Sequence, residues 1–155
     1  MNSVLTSLIA VGGTLAGASL TYLFGRLAAR RAEWVAREER LRQDRIAAYA
    51  TFVGAVTELR QALISLWFLK RGEPADPEVR AAYTEADQRG AAARHARFRV
   101  QLLTDDPELL QLADAVFKPV DVLADAANRG ELAVLEERSE EVLAAFIQLA
   151  GKQVR

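Results

Sequence analysis

The sequence predicts an all-α protein in which an N-terminal transmembrane helix continues into a cytoplasmic antiparallel four-helix bundle. Three observations predict it. No charged side chain occurs from Asn2 to Gly25. Beyond that run, apolar residues recur at three- and four-residue steps, the period of an amphipathic helix. Only 4 prolines and 9 glycines punctuate 155 residues, too few for a turn-rich β architecture.

The first element is the uncharged run NSVLTSLIAVGGTLAGASLTYLFG, residues 2–25. A helix needs roughly 20 apolar residues to cross a hydrocarbon core of about 30 Å, and the run meets that length. Arg26, Arg30 and Arg31 follow at once, whereas only the terminal amine precedes it. Positive charge is retained on the cytoplasmic side, so this asymmetry places the N-terminus outside and the remainder in the cytoplasm. Tyr22 and Trp34 flank the arginines at the level where amphipathic rings settle, and the long arginine side chains can reach lipid phosphates. A cleaved secretory signal requires a basic segment before a shorter apolar core, the reverse of the order here. Within the span Gly13, Gly17, Thr21 and Gly25 recur every four residues and share one face. Small residues at that spacing let a second helix approach closely in lipid, although they are also common in spans that do not pair.

Residues 26–45 form a charged helical stalk in which Glu33–Arg37 and Glu38–Arg42 have the favourable i,i+4 order. Four bundle helices follow over 46–155, the first of them beginning within the stalk, at about 40–71, 77–103, 107–128 and 131–151. The first carries Ile46, Tyr49, Phe52, Val53, Val56, Leu59, Leu63, Leu66 and Trp67 as a core stripe. Asp76-Pro77-Glu78 supplies a cap, a first-turn proline and a first-turn acid for the second, whose inner face includes Val79, Tyr83, Ala86, Gly90, Ala93, Ala96, Val100 and Leu103. Asp106-Pro107-Glu108 repeats that chemistry for the third, in which Pro119 predicts a kink and Asn128-Arg129-Gly130 a stop. The fourth presents Leu132, Leu135, Val142, Phe146 and Leu149. Short connections between such helices favour antiparallel neighbours.

The formal net charge is −1, which excludes a generally basic, phosphate-coating protein. Residues 26–45 carry seven positive and four negative side chains, and residues 104–155 five and eleven. A basic zone next to the span suits an anionic leaflet.

The chain holds no cysteine and one histidine, which removes Cys/His zinc sites, thiol nucleophiles and disulfides. No cofactor or metal is expected. Glu136, Glu137, Glu140 and Glu141 around Ser139 read as the solvated face of a helix rather than sheltered acid–base groups. No phosphate loop or nucleophile elbow occurs, so the sequence predicts no enzyme. Arg94, His95, Arg97 and Arg99 form a local basic patch suited to a small anion or an acidic partner, or to a contact with the acidic fourth helix. His95 shares a helix face with Ala91, Phe98 and Leu102, which predicts a packed or rim position. Stacking aromatics are lacking around the patch, which argues against nucleic acid.

The segments LRQDRIAAYATFVGAVTELR (41–60) and ARHARFRVQLLTDDPEL (93–109), behind a span followed by arginines, resemble small single-span membrane proteins of high-GC actinobacteria. The use of 17 arginines against 3 lysines fits that source. Some of those proteins look like the kil or spread proteins of conjugative plasmids, a resemblance that implies a role in plasmid transfer at the membrane. Three readings stand: a non-enzymatic membrane-anchored interaction or scaffold module, with the bilayer and an unidentified protein, or a second copy, as partners; a membrane-tethered regulator binding a small anion near His95; and a plasmid-transfer component.

Overall fold

The computed structural model describes the backbone of residues 2–72 and 75–155, with the side chains of 22, 25, 26 and everything from 30 onward except 73 and 74. Among the described residues every regular element is helical: α1 (Asn2–Arg71), α2 (Asp76–Leu103), α3 (Pro107–Ala115), the single turn α4 (Phe117–Val120), a 3₁₀ turn over Leu123–Asp125, and α5 (Arg129–Gln153). The chain divides into two units, Met1–Leu41 and Arg42–Arg155.

In the first unit Tyr22 and Trp34 are each 66% exposed, and Arg26, Arg30 and Arg31 also face outward. Gly13, Gly17 and Thr21 lie outside the described side chains, and a Cβ added at Gly25 would meet nothing within 4 Å. One helical stretch among the described residues, Arg30–Arg71, contains a segment long and apolar enough to cross a membrane, with a mean hydropathy of 1.3 over its most apolar 18 residues. Its apolar residues Phe52, Val56 and Leu66 are fully buried inside the second unit, so a core helix accounts for that stretch. The span read from the sequence is the separate run over 2–25.

The second unit is built on the α1 stripe. Ala48, Tyr49, Phe52, Val56, Leu59 and Trp67 meet Ala93, Ala96 and Val100 of α2, Leu109 and Ala113 of α3, and Leu132 and Phe146 of α5 in one continuous core. Leu66, Ala86 and Ala124 form a smaller satellite. Polar contacts give the helix directions. Tyr49 Oη donates to Gln153 Oε1 at 2.8 Å, Arg60 to Glu140 at 2.7 Å and Trp67 Nε1 to the Ala126 carbonyl at 2.8 Å. Arg45 reaches the Leu103 carbonyl at 2.8 Å, and Arg89 pairs with Glu58. Partner numbers fall as α1 numbers rise, so α1 runs opposite to both α2 and α5. Ile46 and Tyr83, expected in the core, are instead exposed at the margins of their stripes.

The helix starts follow the expected chemistry with one shift. The α2 cap is Ala75, in extended backbone, and Asp76 is already helical because the Ala75 carbonyl accepts the first bonds, from Glu78 and Val79. Asp76 therefore acts through the dipole rather than as a cap. Asp106 does cap α3: its Oδ1 accepts from the Glu108 amide at 2.9 Å and the Leu109 amide at 3.3 Å, and its Oδ2 from Gln153 Nε2 at 2.6 Å. The bond from the Leu109 amide is the main reason that the Asp106 carboxyl lies below the usual carboxylate range. A carboxyl whose folded pKa is lowered stabilises the fold above its unfolded pKa, and that contribution is lost as pH falls through the folded value. Asn at this position still caps but does not titrate there. Asp106→Asn is therefore expected to flatten the acid limb of the melting temperature against pH; an unchanged limb would remove Asp106 as its source.

The helix predicted over 107–128 is interrupted just upstream of Pro119, where Val116 keeps helical backbone and its amide still bonds to the Leu112 carbonyl, and it ends early, at Val120. α3 ends at Ala115 and α4 restarts at Phe117, which puts Pro119 in a first turn where a missing N–H costs nothing. After Val120 the chain folds across the C-terminal turn of α1. There the Ala124 carbonyl accepts from Lys70 Nζ at 3.1 Å, and the Ala126 carbonyl accepts from Trp67 and from Arg71. Asn128 opens α5 instead of closing the preceding helix. Its Oδ1 accepts from the Glu131 amide at 3.0 Å, while the Glu131 carboxylate accepts from the Ala127 amide at 2.7 Å.

Candidate interaction surface

An open, largely apolar groove of 460 Å³ lies between α1 and α5. Ile46, Ala50, Val53 and Gly54 form one wall, and Ile147, Ala150, Gly151 and Val154 the other. Tyr49 and Phe146 form its floor, stacked edge to face with centroids 6.0 Å apart. Gly54 and Gly151 make the groove, since a Cβ added at either would meet nothing within 4 Å. The Tyr49 hydroxyl is engaged by Gln153, so the groove offers apolar contact rather than chemistry. Helical periodicity alone does not reveal it. The available signal was a pair of four-residue spacings, Ala50–Gly54 and Ile147–Gly151, on two helices that face each other.

The predicted basic patch is spread over several environments. Arg97 is ion-paired with Asp114 of α3 and lies 5.7 Å from the Phe98 ring centroid. Arg99 borders a small cleft with Asp44, Leu102 and Leu103. Arg94 lines a second cavity of 280 Å³ together with Asp87, Asp121 and Asp125. Burial pushes the Asp121 carboxyl up, and the Arg94 charge partly opposes that shift. His95, for which a packed or rim position is expected, is exposed, as are Ala91, Phe98 and Leu102, so this face points to solvent. The four residues do not converge on one cavity, and Arg94 alone faces a cavity that holds three carboxylates.

The contact expected between this patch and the acidic last helix is replaced by others. Arg97 turns to α3, Arg89 to Glu58 and Glu85, and the α5 acids Glu140 and Glu141 take Arg60 and Arg138. Ser139, amid those acids, faces inward and donates to the Glu136 carbonyl at 2.7 Å. Among the described residues no group of three His, Cys, Asp or Glu side chains could hold a metal ion.

The second unit is all-helical, with an open apolar groove between α1 and α5 and several of its ionisable groups held in ion pairs. Residues 46–154 match the profile of the KilB plasmid transfer protein family, and the chain belongs to that family. No curated protein and no solved structure matches the chain.

Proposed function

We propose that this chain is a membrane-anchored, non-enzymatic component of plasmid transfer that works by binding other proteins through residues 42–155 in the cytoplasm. The family match over 46–154 carries the reading. The uncharged run over 2–25 and the arginines behind it support the anchor and its orientation. The apolar groove and the dispersed charges support contact over catalysis. Binding of a small anion near His95 has less support, because the cavity beside Arg94 is lined by three aspartates.

The test is a mating assay with a plasmid from which this coding sequence has been removed. Transfer is expected to fall, to recover when the full chain is supplied in trans, and to stay low when residues 2–25 are absent. Unimpaired transfer without the coding sequence would remove the role. Full recovery with residues 26–155 alone would remove the anchor from it.

A further inference from the structure

α2 turns its small residues Ala86, Gly90, Ala93 and Ala96 inward and leaves a second stripe on the opposite side. Thr84, Gln88, Ala91, His95, Phe98 and Leu102 follow one another at alternating steps of four and three, and all six are exposed. Phe98 is 52% exposed and Leu102 84%. The alternation of four and three is the spacing of a coiled-coil seam, and it spans about 27 Å of helix. No other described element covers it.

We propose that this outer face of α2 is a self-association seam, on which a second copy of the chain lays its own α2 in the opposite direction. This inference is independent of the plasmid-transfer reading. Two features of the face select that occupant. The first is size. An antiparallel pair centred near Ala93 sets Leu102 against the partner's Thr84, Phe98 against the partner's Gln88 and His95 against the partner's Ala91. Every layer then joins a larger side chain to a smaller one, the alternation that fills a helix–helix interface. The second is charge. The seam is bordered by Glu85 towards its N-terminal end and by Arg99 towards its C-terminal end. Reversal of one copy places each Glu85 beside the partner's Arg99, twice by symmetry, whereas a parallel pair would set each Arg94 beside the partner's Arg99. Such flanking charges set orientation and partner choice in helix pairs.

The one like-charge approach in this arrangement is Arg94 against its own counterpart. The structure relieves it. The Arg94 guanidinium folds back over Gly90, where an added Cβ would stand 3.4 Å from its Nη2, and it couples electrostatically to Asp121. Gly90 thus provides room for a charge that would otherwise face the seam.

The native chain has no cysteine, so a single one reports position without background. Ala92 borders the two-fold axis and should meet its counterpart. In the full chain reconstituted in lipid vesicles, Ala92→Cys is expected to cross-link with a short bis-maleimide, and Glu137→Cys on α5 is not. In the Ala92→Cys background, Glu85→Arg or Arg99→Glu alone should weaken association about tenfold, since two exposed attractions become repulsions. The two charge variants mixed together should cross-link to each other as the parent does, because their union restores both pairs. Circular dichroism on each variant verifies that the helices are intact. Cross-linking at Ala92 no faster than at Glu137, or a yield indifferent to the charge reversals, would overturn the seam. So would preferential cross-linking through Ala50→Cys, which would place the contact in the apolar groove.

Discussion

Phe146→Ala is expected to lower the stability of the second unit by about 3–5 kcal/mol, the range found when a buried phenylalanine is truncated. Phe146 has no exposed surface and joins two rings of α1, with centroids 6.0 Å from Tyr49 and 4.9 Å from Phe52. Phe52 in turn contacts Phe117, which links α1, α4 and α5 through one aromatic chain. The ring is fully buried in the core that α1, α2, α3 and α5 share, so the lost volume can collapse only in part. The measurement is urea unfolding of the detergent-solubilised full chain, followed by tryptophan fluorescence. A loss below about 1 kcal/mol would mean that the aromatic cluster repacks freely, contrary to the burial of Phe146 against Tyr49 and Phe52.

Trp67→Ala is expected to cost a similar amount, about 3–5 kcal/mol, but by a different route. Trp67 is both a core residue and the peg that holds the connection between α4 and α5. Its indole N–H donates to the Ala126 carbonyl at 2.8 Å, and the Arg71 guanidinium lies 3.9 Å from its ring centroid while bonding to the same carbonyl. Trp67→Phe keeps most of the ring and loses the N–H. Arg71 still serves the carbonyl, so the cost should fall to about 1 kcal/mol. The two variants therefore separate packing from latching. Hydrogen exchange of the Ala126 and Ala127 amides, accelerated in Trp67→Ala and little changed in Trp67→Phe, checks the local effect; equal acceleration in both would make the indole N–H, not the ring, the latch.

The pattern that predicts the helices is local, and where structure follows local chemistry the sequence reads correctly. The Asp106-Pro107-Glu108 start and the α1 stripe from Tyr49 to Trp67 are of this kind. The end of that helix at Val120 is not. Beyond it the Ala124 carbonyl accepts from Lys70 and the Ala126 carbonyl from Trp67 and Arg71, donors more than fifty residues away. A helix-wide reading of 107–128 has no access to them. The membership in a plasmid-transfer family was legible through the segments at 41–60 and 93–109, whereas the apolar groove was not. Its walls come from residues a hundred positions apart, and its shape is set by the absence of side chains at Gly54 and Gly151. The basic patch shows the same limit in reverse: proximity in sequence brought Arg94, Arg97 and Arg99 together, and helical geometry sent them to three different neighbours.

The reach of α1 has a consequence for how the chain acquires its fold. Arg42 bonds to the Val154 carbonyl at 2.6 Å, and Tyr49 bonds to Gln153 across 104 positions of sequence. The helix made first thus waits for the one made last. At ordinary rates of synthesis the ribosome needs about 5–20 s to add the intervening hundred residues. Throughout that interval the apolar stripe of α1 has no α5 to cover it, close behind a segment suited to lipid. Its closure is timed by translation rather than by the intrinsic speed of helix formation, which is about a microsecond.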